Sequence, residues 1–302
     1  MKEYGLVIEN ADLKKYNTYG IGGHAKYLVM PYSIKHLKDL LKYLNTKNLS
    51  WYILGGGSNV IIPDEDFSGV IIKLDQLNKI DFNKDIIKAE AGITLGKFIN
   101  ALLNEGYTNY SNLMGIPGSL GGAILGNAGA YGVSIFDDLI SVLVMDESGN
   151  LLEYAKEDIE YDYRYTEFKE NKNIIVAAKF KGKKGDVAIA RETISENLQK
   201  RKNTQPLEYK NAGSVFKNPI KYSAGYLIEH AGLKGLTVGG AQVSNKHANF
   251  IINYNNASSR DIIDLIAVIK REISKKFDIS LDLEQVIVKW EKVDEKSKKE
   301  IK

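Results

Sequence analysis

The first half of the chain alternates helix-like and strand-like patterns. Leu37, Leu40, Leu41 and Leu44 recur at the spacing of one helix face, and Ser33 stands just before them as a capping residue. The apolar run WYIL (51–54) predicts a strand that leads directly into GGGSN (55–59), followed by VIIP and by GVIIKL at 69–74. Thr94 caps a second helix, whose apolar face is Leu95, Phe98, Ile99, Leu102 and Leu103 and whose end is marked by Gly106. SVLVMDESGNLLEY predicts a β-hairpin turning at Ser148-Gly149-Asn150, and IIVAAKF (174–180) a buried strand.

The pattern changes at GKKGD (182–186), a run with no apolar anchor that marks a domain boundary. Beyond it come the polar helix ARETISENLQKRKN, a short helix around Leu227 and Ile228, and a strand over 248–252. A long helix follows Ser258, with Ile262, Ile263, Ile266, Ile269, Ile273 and Phe277 on its apolar face. QVIVKW forms a last strand, and KVDEKSKKEIK reads as a solvated tail. The C-terminal part is thus a small α+β domain with its own core.

Composition narrows the function classes. A chain of 302 residues with 44% hydrophobic and 26% charged residues has the make-up of an ordinary globular protein large enough for two or three domains. A net charge of +3 without a basic stripe points away from nucleic acid. With no cysteine, disulfides, thiolate catalysis, cysteine-ligated zinc and iron–sulfur clusters are excluded. The four histidines, His24, His36, His230 and His247, show no metal-ligand spacing, so no metal site is expected. The N-terminus lacks a signal-peptide core and no apolar run approaches a membrane span, which makes a cytoplasmic monomer, away from membranes, the expectation.

Two glycine-rich segments carry the candidate chemistry. In GIPGSLGGAILGNAGAYG (115–132) seven of 18 residues are glycine and none is charged, while Ile116, Leu120, Ile124 and Leu125 are apolar. Such a segment offers main-chain N–H groups to an anion, or a flat surface to an aromatic ring, with no Cβ in the way. GGGSN after a strand can cradle a phosphate in the same manner, although it lacks both the Lys-Ser/Thr of a P-loop and a full G-x-G-x-x-G. Taken alone it reads equally as a tight glycine turn. Two such loops in one half of the chain suit the two ends of a dinucleotide.

The set NTYGIGG (17–23), LGGGSN (54–59), GIPGSLGGAILGNAGAYG (115–132), YDYRYTEF (161–168), NAGSVFKNP (211–219) and the late Glu284 resembles, in order and spacing, the bacterial UDP-N-acetylenolpyruvoylglucosamine reductases. The resemblance runs from about Asn17 to Trp290. It implies an FAD-binding fold of the vanillyl-alcohol-oxidase type over 1–185, made of two α+β subdomains (about 1–75 and 76–185), followed by a substrate-binding domain over 186–302. It also implies that NADPH reduces a non-covalent FAD, which then reduces the enolpyruvyl ether of UDP-N-acetylglucosamine-enolpyruvate to UDP-N-acetylmuramate, a step of peptidoglycan precursor synthesis.

Residue by residue, the resemblance places FAD on Gly55, Gly56, Gly57, Ser58 and Asn59 and on Gly118, Ser119, Gly121, Gly122 and Ala123, with Tyr19 and Gly20 adjoining. It places the substrate near Asn127, Lys217 and Asn218, with Arg201 and Gln205 in an R-x-x-x-Q-P segment. Arg164, Ser214 and Glu284 take the catalytic roles. A guanidinium can grip the substrate carboxylate as charge builds on it. Ser214 matches the proton donor, and Glu284, when protonated, can share the developing charge. The short stretch before NAGSVFKNP resembles the family type without an extra tyrosine-bearing loop, so no tyrosine lid is expected.

Each residue also has a plainer reading. Arg164 could pair at a surface with Asp162 or Glu167, Ser214 could be a turn or cap serine, and Glu284 and Lys217 could be solvated charges. Related chains often carry a basic residue two positions after the late glutamate, as in E-V-R, whereas here the run is Glu284-Gln285-Val286-Ile287. A one-residue shift of that strand would turn Glu284 away. The other function classes are a different FAD oxidoreductase of the same fold acting on a hydroxy acid or alcohol, and a non-catalytic nucleotide-sugar-binding protein.

Overall fold

A computed structural model describes residues 1–290; the tail sequence KVDEKSKKEIK lies outside the described residues. The helix Ile34–Thr46 starts where Ser33 accepts a hydrogen bond from the His36 N–H, and it buries Leu37, Leu40, Leu41 and Leu44. Those leucines pack with Val29, Val70 and Ile72 of a four-stranded sheet ordered Gly5–Asp12, His24–Pro31, Phe67–Ile72, Trp51–Ile53. The first pair is antiparallel, and the other two contacts are parallel.

A second, wholly antiparallel sheet runs Leu151–Ala155, Leu139–Met145, Ile174–Lys181, Ile86–Glu90, Ile80–Asn83. Thr94 caps the helix Leu95–Asn104, and Phe98 reaches Phe180 of this sheet at 5.0 Å between ring centroids. The hairpin closes over Asp146–Asn150 with Gly149 at φ +84°. The polar helix occupies Val187–Thr204 behind an Asp186 cap, and its two buried residues, Ala190 and Ile194, join the same core as this sheet.

A further core gathers the helices Ala224–His230 and Ser259–Phe277 against the small antiparallel sheet Thr237–Val238, Ala241–Val243, Ile251–Asn253. The strand expected over 248–252 is shorter and later, because Phe250 N–H bonds back to the His247 carbonyl in a turn. Ser258 and Asp261 form a reciprocal capping box, and the Asp261 carboxylate also accepts from the Gly240 N–H. The last strand spans only Val286–Ile287 and pairs in parallel with Val60–Ile61, next to the GGGSN loop. Trp290 then stacks on Phe67 at 4.4 Å. No described helix is long and apolar enough to cross a membrane.

Candidate active site

A cleft of about 1420 Å³ is bounded by both glycine-rich loops, the 164–175 region, the 205–214 segment and the last strand. Local chemistry shapes its floor. Buried Lys73 donates its ammonium to the Gly55 carbonyl at 2.7 Å, with Asp75 at 3.4 Å, and Ser58 Oγ donates to the Pro117 carbonyl at 3.0 Å. These bonds take up loop carbonyls and leave N–H groups free. Among the described residues, the N–H groups of Gly55, Gly56, Gly57, Ser58, Gly118 and Ser119 donate to no protein atom, and all six residues line the cleft. A Cβ on Gly56 would sit 2.5 Å from Gly118 Cα, so glycine is what lets the two loops touch. Clustered free amides beside the uncharged 115–132 segment fit the diphosphate and the flat ring of a flavin dinucleotide.

Arg164, Ser214 and Glu284 all line the cleft. Arg164 has a left-handed backbone, φ +58°, in the turn of the small hairpin Tyr161–Asp162/Tyr165–Thr166. Its Nε donates to Glu284 Oε1 at 2.8 Å, and its terminal nitrogens donate to the carbonyls of Asn127 (3.3 Å) and Gly129 (3.0 Å). The surface pairing with Asp162 or Glu167 is not what forms. Burial pushes the Glu284 carboxyl above its ordinary value, although Arg164 pulls the other way. Half-buried Ser214 has a hydroxyl with no hydrogen-bond partner among the described residues, and the neighbouring Val215 carbonyl accepts from the Glu284 N–H at 2.9 Å. The strand shift does not turn Glu284 away, because Asn59 Nδ2 holds its carbonyl at 3.0 Å and Val286 N–H bonds Asn59 O.

Gly121, Gly122 and Ala123 also line the cleft, as do Asn59, Arg201 and Gln205. Arg201 is half-buried without a hydrogen bond or ion pair among the described residues, and burial lowers its pKa. Five of the expected residues lie off the cleft wall. Tyr19 is fully buried with its hydroxyl on Gln285, and a Cβ on Gly20 would meet Lys210. Asn127 is buried, bonding the Asp162 carbonyl and Ser134, and Asn218 Oδ1 accepts from the Ala224 N–H. Lys217 is off the wall too, although its charge acts on both Glu284 and Lys169.

Sequence reasoning missed Lys169, Thr18, Tyr209 and Trp290, which line the cleft. Lys169 donates to the Arg164 carbonyl at 2.7 Å and has its pKa lowered by burial. Its place five residues after Arg164 was the available signal. Tyr209 and Trp290 had none, since their positions depend on how separate segments converge.

The two glycine-rich loops with free amides and the Arg164–Glu284 ion pair on the same cleft define an FAD-dependent oxidoreductase, and a profile described as an FAD binding domain matches residues 25–155. A second profile, the C-terminal domain of UDP-N-acetylenolpyruvoylglucosamine reductase, matches residues 205–288. The reductase of that name from Carboxydothermus hydrogenoformans is 43% identical over 279 residues, covering 92% of this chain and 92% of its own. The one from Clostridium tetani is 38% identical over 284 residues, covering 94% and 92%. The crystal structure of UDP-N-acetylenolpyruvylglucosamine reductase from Thermus caldophilus superimposes with a TM-score of 0.79 at 30% identity, over 95% of this chain and 99% of that one. The chain belongs to the UDP-N-acetylenolpyruvoylglucosamine reductase family, and the hydroxy-acid oxidoreductase and non-catalytic alternatives are not favoured.

Proposed function

We propose that this protein is an NADPH-dependent reductase that converts UDP-N-acetylglucosamine-enolpyruvate to UDP-N-acetylmuramate. The observation that carries the reading is the meeting of Arg164, Glu284 and an unpartnered Ser214 hydroxyl at one cleft whose floor is a set of free amides. When bound, FAD supplies a two-electron relay, taking a hydride from NADPH and giving it to the terminal carbon of the enolpyruvyl ether.

The chain's own residues handle the charge and the proton. Addition of hydride pushes an electron pair toward the substrate carboxylate, which becomes enolate-like and dianionic. Arg164, already fixed by two carbonyls and Glu284, meets that charge without reorganising. Glu284, whose proton is retained to higher pH than usual, donates a hydrogen bond to the same oxygens. Ser214 gives its proton to the carbon next to the carboxylate and regains one from solvent. Arg201 and Gln205 meet the substrate at the cleft wall, while Asn127, Lys217 and Asn218, set back from that wall, serve the nucleotide-sugar side, Lys217 with its charge. Gly55–Asn59 together with Gly118, Ser119, Gly121, Gly122 and Ala123 hold FAD, and Tyr19 and Gly20 support that surface from behind. Residues 1–185 form the flavin unit and 186–302 the substrate unit, whose first helix, Val187–Thr204, packs into the core of the flavin unit. The enzyme works as a cytoplasmic monomer, apart from nucleic acid and membranes, and its product feeds wall synthesis and hence cell shape and division.

The test is the visible spectrum of the purified protein under anaerobic conditions. Bleaching of the flavin by NADPH and its recovery on adding UDP-N-acetylglucosamine-enolpyruvate are the expected results. Bleaching without recovery would move the search to another electron acceptor.

A further inference from the structure

Gln285, next to Glu284, is 3% exposed and yet fully engaged. Its Nε2 donates to the carbonyls of Ala212 (3.1 Å) and Gly213 (3.2 Å), and its Oε1 accepts from the Tyr19 hydroxyl at 3.0 Å. Only the amide nitrogen can serve two carbonyls, which fixes the orientation of the side chain. Gly213, at φ +75°, immediately precedes Ser214, and Tyr19 is wholly buried in the adjoining core. In the pattern E-V-R this position would be an apolar valine with no such reach.

We infer that Gln285 is a positioning residue for the proton-transfer step, clamping the turn that carries Ser214 to the strand that carries Glu284, with Tyr19 bracing the clamp from behind. The inference rests on the functional reading above. Main-chain bonds already tie this region together, since the N–H of Glu284 (2.9 Å) and of Gln285 (3.4 Å) both reach the Val215 carbonyl. They leave the carbonyls of Ala212 and Gly213 without a main-chain partner, and the Gln285 amide satisfies both. No buried side-chain nitrogen or oxygen among the described residues lacks a partner. Removing the amide would orphan two carbonyls and a buried hydroxyl together, and the turn is the part free to move. Reduction of the flavin by NADPH needs neither Ser214 nor Glu284, so the clamp acts on one half-reaction.

The experiment follows both half-reactions of the FAD-loaded enzyme by stopped flow in Gln285→Met and Tyr19→Phe, with hydrogen exchange measured over residues 211–216. Displacing a reacting group by about 1 Å costs roughly a hundredfold. For Gln285→Met, reoxidation by UDP-N-acetylglucosamine-enolpyruvate should fall about that much, while reduction by NADPH stays within about twofold. Tyr19→Phe removes one hydrogen bond of about 1 kcal/mol, so its reoxidation should slow about fivefold. This second variant keeps both carbonyls partnered and carries the test if the first does not fold. Exchange over 211–216 should accelerate in both variants while the helix Leu95–Asn104 is unchanged. Equal slowing of both half-reactions, or no slowing of reoxidation, overturns the assignment. A wild-type enzyme that is reduced but not reoxidised by this substrate overturns the functional reading, and the assignment with it.

Discussion

Replacing Gly56 with alanine adds one methyl group where the two glycine-rich loops meet. The new Cβ would lie 2.5 Å from Gly118 Cα and 3.2 Å from both Gly118 C and Ser119 N, all main-chain atoms that no rotamer change can move aside. Carbon atoms settle at about 3.5–4.0 Å, so the loops must part by roughly 1 Å. The free amides of Gly118 and Ser119 move with that shift. Hydrogen bonds to a charged group contribute about 1.5–3 kcal/mol each, and losing one to two of them costs about 3 kcal/mol, or roughly a hundredfold in FAD affinity. The assay is titration of the flavin-free protein with FAD by fluorescence, read beside the melting temperature. Gly96→Ala is the control, because its Cβ meets only Met114 Sδ at 3.8 Å within a helix. That change should stabilise by about 0.5–1 kcal/mol and leave affinity alone. FAD affinity of Gly56→Ala equal to that of the parent would refute the account of the loops as a shared anion cradle.

Ser214→Ala should keep FAD and its reduction by NADPH but lose reoxidation by the enolpyruvyl substrate; a near-normal overall rate would discredit the proton-donor role. Arg164→Lys keeps the charge but loses the fork that spans Glu284 and Gly129, and should slow reoxidation about 10²–10³-fold with little change in flavin reduction. The folded-state pKa of Glu284 is raised, so its protonated form persists below that raised value and is lost as pH rises through it. The reoxidation rate should therefore fall on that alkaline limb, and Glu284→Gln should flatten it, as a pH–rate profile would reveal. Asp261 has its pKa lowered by N–H donors from Ser258 and Gly240, so its contribution to stability is present above the ordinary carboxyl value and lost as pH falls through the lowered one. Asp261→Ala should cost about 1–2 kcal/mol in urea unfolding at neutral pH and much less in acid.

Much of this architecture was legible because it is local. Ser33 and Thr94 precede helices whose apolar faces recur at the right spacing, and both act as caps in the structure. The α+β class and the flavin family followed from ordered motifs spread over nearly the whole chain. The strands Gly5–Asp12 and Ile80–Asn83 were not foreseen: the first mixes buried, half-buried and exposed positions without a clean alternation, and the second, though it alternates, is only four residues long. The meeting of Arg164 with Glu284 was invisible to spacing, as 120 residues separate them. Asn127 shows how much of a residue's surroundings a motif leaves out. A polar residue in a cofactor-like loop invites a ligand role, but its side chain is occupied by the Asp162 carbonyl and Ser134 and its backbone is left-handed at φ +41°.

The parallel pairing of Val286–Ile287 with Val60–Ile61, reinforced by the bond from Asn59 to Glu284 across 225 residues, also sets a schedule for biosynthesis. Translation at about 5–20 residues per second separates those two segments by roughly eleven to forty-five seconds. During that interval the nascent GGGSN loop has emerged but lacks the strand that will border it, and Arg164 has no carboxylate to meet. Synthesis halted anywhere between residues 132 and 284 would yield a polypeptide with both glycine-rich loops and no Glu284 to pair with Arg164. The enzyme is thus assembled by ring closure, with its beginning waiting for its last strand.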